Sequence, residues 1–95
     1  FIVVEPVLEE FTRHLVEEVS TYTVGDPMAE ETRIGPLARA DLRDDVHAQV
    51  RRSVALGAEL LLGGEVEDGP GAWYAPTVLT NVRKGMPTYD EEVFG

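Results

Sequence analysis

An α/β fold is what this sequence predicts, and three observations carry that expectation. Apolar residues recur at three- and four-residue steps from Leu8 to Tyr22 and from Leu42 to Val54, the spacing that lines one face of a helix. Short apolar runs at Phe1 to Val4, Ala58 to Leu62 and Trp73 to Val82 suit strands. Glycine and proline punctuate the joins, so the order reads strand, helix, helix, strand, strand, with about two helices and three strands in a small mixed sheet.

Phe1-Ile2-Val3-Val4 is apolar throughout and mostly β-branched, which favours a buried strand at this length. Proline suits a first helical turn, and Glu9 and Glu10 complement the positive helix start. With Leu8, Phe11, Leu15, Val19 and Tyr22 as its stripe, the first helix is expected from about Pro6 to about Thr21. Gly25-Asp26-Pro27 stops it, because proline lacks an N–H and restricts the residue before it. A loop continues through Gly35-Pro36. Leu42, Val46, Val50 and Val54 then mark a second helix, with Gly57 where a left-handed C-terminal cap belongs and Arg51 and Arg52 near the negative helix end. Gly63-Gly64 closes the next strand, and Glu67 to Gly71 is polar loop material. In the strand from Trp73 to Val82, Pro76 cannot donate to a ladder and argues for an edge or a bulge. Arg83-Lys84-Gly85 turns the chain into a short terminal segment.

Composition narrows the function. The 95 residues suffice for one small domain and exclude a second. A formal charge of −10 disfavours nucleic acid and anionic membrane surfaces, both of which reward clustered Lys and Arg. The chain has no cysteine, so neither a disulfide nor a thiol nucleophile can be built within it. The N-terminal apolar run is too short for a membrane span or a signal-peptide core, which leaves a cytoplasmic setting as the expectation. An apolar start without methionine and an end on Val93-Phe94-Gly95 read as cuts inside a longer protein.

Few residues point to chemistry on their own. His14 lies beside the first stripe and His47 on the polar side of the second, neither with a second ligand at metal spacing, so no metal site is expected. Asp41, Asp44 and Asp45 follow the second helix start, where acids complement the dipole. No glycine-rich nucleotide fingerprint follows a strand, and Gly63-Gly64 reads as a strand terminator. Taken alone, these residues describe an α/β piece without an assigned activity.

Five segments in order change that. Val24-Gly25-Asp26-Pro27, Arg33-Ile34-Gly35-Pro36-Leu37 and Glu91-Glu92-Val93-Phe94-Gly95 resemble consecutive landmarks of the aldehyde dehydrogenase superfamily. Gly57 to Gly64 and Tyr74 to Leu79 resemble the strand-turn-strand section of its catalytic domain. The resemblance covers essentially the whole chain, 1–95, as a single partial catalytic domain. Ile34 to Arg39 and Asp41-Leu42-Arg43 look most like bacterial succinate-semialdehyde dehydrogenases.

The resemblance implies oxidation of a small aldehyde to the acid with NAD or NADP. In the family a cysteine thiolate attacks the aldehyde, an oxyanion hole holds the thiohemiacetal, hydride passes to the nicotinamide, and a glutamate activates water. The nucleophile lies upstream of a strand resembling Phe1 to Val4, so this stretch is expected to be inactive and cofactor-free by itself. By resemblance, Glu92 accepts hydrogen bonds from the nicotinamide ribose hydroxyls and Phe94 packs against the nicotinamide side. A carboxylate can take two hydroxyl donors, and an aromatic ring supplies a flat apolar wall. The expected partners are the remainder of the parent enzyme, a small aldehyde and further copies in a homo-oligomer, with Phe11, Trp73 and the strand edge as candidate contacts. The alternative is a free-standing α/β interaction module that shares these segments.

Overall fold

A computed structural model of the chain describes residues 1–67 and 69–95. Both periodic stretches are helices: α1 spans Glu5–Ser20 and α2 spans Ala40–Ala55, followed by β1 (Glu59–Leu62), β2 (Val78–Thr80) and a short α3 (Pro87–Asp90). Part of the expected polar loop, Asp68, lies outside the described residues.

In α1, a proline in the first turn gives up no hydrogen bond that the helix could use. The far end is closed by hydroxyls: Ser20 Oγ donates to the Glu17 carbonyl and Thr21 Oγ1 to that of Glu18, each at 2.7 Å. These bonds satisfy acceptors that the helix leaves open. Despite its regular stripe, α1 buries none of its residues.

The second helix begins two residues before Leu42. Arg39 stands in extended conformation at its N-cap, and its guanidinium forks onto the Asp41 carboxylate at 2.9 Å through both nitrogens. That hydrogen bond holds the Asp41 carboxyl below the usual carboxylate range. The stop is a Schellman turn: Gly57 sits at φ 105°, its N–H bonds the Val54 carbonyl, and the Ala58 N–H reaches back to the Ser53 carbonyl. The buried face drifts from the expected line. Val46, Val50 and Ser53 are buried, Leu42 is half-buried and Val54 is exposed.

The chain then forms a hairpin. Strands β1 and β2 pair antiparallel, Glu59 with Thr80, Leu60 with Leu79 and Leu62 with Val78, with a shift at Leu61. The expected Trp73 to Val82 strand is shortened to Val78–Thr80, because Pro76 interrupts it as its missing N–H requires. Pairing resumes beyond the break as a Val66–Tyr74 bridge. Across the gap Thr77 Oγ1 accepts the Gly64 N–H at 2.9 Å and donates to the Ala75 carbonyl at 2.7 Å, so a side chain replaces the lost ladder contact. Gly63 is required here: at φ 68°, a Cβ would stand 2.1 Å from the Pro76 carbonyl oxygen.

Two expectations need correction. The sheet has two antiparallel strands and is not a mixed three-stranded one, and Phe1–Val4 forms no strand. Among the described residues the segment pairs with neither edge of the hairpin, and a cleft separates it from β2, so its β propensity goes unused. Phe1 and Ile2 stay fully exposed, and the Phe1 ring leans on Phe11 at 5.5 Å between centroids.

The core lies on the other side of the hairpin. Val46 and Val50 of α2, Ala58, Ala72, Tyr74, Val78 and Met86 make up its apolar part. The loop between the helices is tied in by a Val24–Ile34 bridge, an Asp26 side chain accepting the Met28 N–H at 2.9 Å, and a Leu37 N–H bond to the Ala72 carbonyl. The fold therefore puts α2 directly beside the last nine residues.

Candidate cofactor-contact site

Helix α3 and the residues after it are held by one face of α2. Met86, 2% exposed, begins α3 in extended conformation, and Pro87 fills its first turn. Ser53 is fully buried, and its Oγ accepts both the Thr88 N–H at 3.1 Å and the Thr88 hydroxyl at 2.9 Å. One turn earlier on α2, Gln49 Nε2 donates to Glu91 Oε2 and to the Glu92 carbonyl, each at 3.0 Å. Arg52 adds an ion pair to Glu91 at 3.3 Å. The Gln49 hydrogen bond, assisted by the Arg52 charge, holds the Glu91 carboxyl below the usual carboxylate range.

This clamp decides what the two predicted site residues can do. Glu91 is extended, at φ −111° and ψ 157°, and Glu92 lines the same α2-side groove as Glu91. Among the described residues the Glu92 carboxylate has no hydrogen-bond or ion-pair partner, although its own backbone carbonyl is fixed. Val93 and Gly95 line an apolar cleft of about 410 Å³ with Val46, Val50 and Thr88. Phe94, 67% exposed, instead borders a groove with Leu37, Ala38 and Leu42 and a second one with Leu42, Gln49 and Glu92. An unpartnered carboxylate and an exposed ring thus border the same groove.

That arrangement suits one end of a nicotinamide dinucleotide. An unengaged carboxylate can accept two ribose hydroxyls, and an exposed ring can flank a heteroaromatic plane. The groove beside them is lined by Asp45, Glu91 and Glu92 against one cation, Arg52, which Glu91 already engages. Such a lining repels phosphate. The groove beside the segment is therefore a poor place for a phosphate group.

The sequence singles out Glu92 and Phe94 as candidates but not the residues that hold their segment. Gln49 carried no signal, because a glutamine on the polar flank of a helix looks like ordinary surface. Ser53 did carry one: it stands seven positions after Val46 and three after Val50, a small polar residue within an apolar face. Arg52, expected only to complement the helix dipole, also reaches Glu91. His47, expected on the polar side, is half-buried, with its ring edge-on to Tyr74 and Nδ1 3.3 Å from the Tyr74 hydroxyl; burial pushes that phenol up. His14 is exposed on α1 near Glu10 and Glu17. Among the described residues no group of three or more His, Asp or Glu could hold a metal ion, and no helix is long and apolar enough to cross a membrane.

Comparison with known proteins places this geometry. The family model described as "Aldehyde dehydrogenase family" matches residues 1–95. The chain belongs to the aldehyde dehydrogenase family. It is 47% identical over 95 residues to the succinate semialdehyde dehydrogenase [NAD(P)+] of Escherichia coli, covering 100% of this chain and 21% of that enzyme. It is 45% identical to the succinate-semialdehyde dehydrogenase [NADP(+)] of Mycobacterium avium, covering 100% of this chain and 20% of that enzyme. This aldehyde dehydrogenase chain thus spans about a fifth of the length of these curated relatives. Among solved structures, the succinic semialdehyde dehydrogenase of Streptococcus pyogenes in complex with NADP+ superposes with a TM-score of 0.93 at 38% identity, over 100% of this chain and 21% of that one. The betaine aldehyde dehydrogenase of Staphylococcus aureus in complex with NAD+ gives 0.87 at 27% identity, over 96% and 19%. The α/β expectation and the family resemblance both stand, with two strands in place of three.

Proposed function

We propose that this chain is part of an NAD(P)-dependent oxidoreductase that converts succinate semialdehyde to the dicarboxylic acid, and that Glu92 and Phe94 are its contribution to the cofactor site. The observation that carries the reading is the pairing of an unengaged Glu92 carboxylate with an exposed Phe94 ring on a segment braced by α2. Whole-chain similarity to succinate-semialdehyde dehydrogenases supports the choice of aldehyde.

In this reading the cofactor supplies the hydride acceptor, and the chain's own residues bind and orient. Glu92 accepts the two ribose hydroxyls and so fixes the sugar; Phe94 limits the tilt of the ring that receives the hydride. Neither residue moves a proton. The attacking thiol is outside this chain, which has no cysteine, so these 95 residues alone turn over no aldehyde. We further propose that the parent enzyme is cytoplasmic and a homo-oligomer; the acid-rich composition supports the first, and exposed apolar residues such as Phe1, Ile2 and Val4 support burial against further protein.

Steady-state rates of the complete gene product on succinate semialdehyde, glutarate semialdehyde and betaine aldehyde test the assignment. The highest kcat/KM is expected for succinate semialdehyde. A preference for betaine aldehyde would reject the substrate, and no oxidation of any of them would reject the activity.

A further inference from the structure

The clamp between α2 and the terminal segment gives Gln49 a role that its half-buried place on the polar flank of α2 hides. We propose that Gln49 is a positioning residue for the nicotinamide end of the cofactor, acting through Glu92 without touching the cofactor itself. The inference rests on the assignment of Glu92 and Phe94 made above.

Three observations carry it. Gln49 Nε2 donates to Glu91 Oε2 and to the Glu92 carbonyl at 3.0 Å each, so one amide group with two hydrogens restrains two consecutive residues. The second bond grips the backbone of Glu92, which leaves that residue's carboxylate free while removing freedom from the peptide that carries it. Arg52, one turn further along α2, reaches only the Glu91 side chain at 3.3 Å, so it cannot replace the grip on residue 92. No other side chain among the described residues bonds the backbone of residues 92–95.

The electrostatics point the same way. Glu91 and Glu92 are adjacent carboxylates that line one groove with Asp45, so repulsion among the three has to be offset. By accepting from Gln49 and Arg52, Glu91 is held against α2. Glu92 and Phe94 then border that groove together, with the Glu92 carboxylate left unpartnered among the described residues. Without the glutamine amide, the segment must be ordered at the moment of binding, which weakens association.

The test uses the complete gene product, titrated at equilibrium with NADP+ and separately with NAD+, and followed without cofactor by hydrogen exchange at the amides of 92–95. Gln49→Leu is expected to weaken binding of the preferred cofactor about tenfold, the scale of re-ordering roughly one residue, and to speed exchange at 92–95 while α2 amides remain protected. In the Glu92→Gln background the same change should have little further effect, because its route runs through Glu92. Should Gln49→Leu misfold, Gln49→Ala removes the same amide and is read in the same way. Wild-type affinity in Gln49→Leu, or a full additional tenfold loss in the double variant, overturns the proposal while leaving Glu92 in place. Unchanged cofactor affinity in Glu92→Gln alone overturns the underlying reading and the inference with it.

Discussion

The two long helices make an instructive pair. Helix α1 has the more regular stripe, with Leu8, Phe11, Leu15 and Val19 on one side, yet none of its residues is buried. Helix α2 has a stripe broken by charged and polar residues, yet Val46, Val50 and Ser53 are buried in it. The difference lies in what each helix meets. Helix α3, the terminal segment and the Tyr74 ring meet α2, whereas α1 meets the hairpin chiefly at β1, beside open clefts. Periodicity states which face could be buried; burial requires a partner, and the partner on the α2 side is the segment that carries Glu92 and Phe94.

If stability resides on the α2 side, truncations there should cost most. Met86→Ala, at a residue 2% exposed at the N-cap of α3, should lower the unfolding free energy by about 2–4 kcal/mol, whereas Leu8→Ala, 40% exposed on α1, should cost under about 1 kcal/mol. Urea unfolding of the two variants checks the contrast, and equal losses would break it. Gly63→Ala should follow at about 2 kcal/mol, since it forces a Cβ against the Pro76 carbonyl in a left-handed conformation. A change in urea midpoint indistinguishable from zero would mean that the turn relaxes freely.

Smaller effects sharpen the same division. Ser53→Ala leaves the Thr88 N–H and hydroxyl without their buried acceptor and should cost about 1–2 kcal/mol. The loss should be accompanied by faster hydrogen exchange in α3 before any change in α1. The smallest effect is a pH dependence. Because the folded Glu91 carboxyl is held below its ordinary value, its contribution is present above the ordinary carboxylate range and is lost as pH falls through the depressed folded value. The side-chain amide resonances of Gln49 should therefore shift only in that acidic window. In Glu91→Gln they should be flat across it, and a shift near neutrality would contradict the clamp.

Much of this was legible in the sequence, for reasons that can be assigned residue by residue. Gly57 announced the end of α2 because a left-handed cap favours glycine, and Pro76 announced the break in the hairpin because it lacks an N–H. Glu92 and Phe94 are proposed on the strength of a motif, not of physics; nothing in their own composition separates them from a solvated acid and a core ring. What stayed hidden was relational. Phe1–Val4 has the composition of a strand, but strand formation depends on a neighbouring edge that no local pattern reveals. Helix α3 is too short for any periodicity to show. Gln49 lies 42 positions from Glu91, and a contact over that separation leaves no trace in either local sequence.

The most direct test of the account is a crystal structure of the complete gene product with its preferred nicotinamide cofactor. It should show both ribose hydroxyls within about 3 Å of the Glu92 carboxylate, the Phe94 ring against the nicotinamide, and the Gln49 amide still bonded to the Glu92 carbonyl. A ribose held by other residues, with Glu92 facing solvent beside an occupied site, would contradict it.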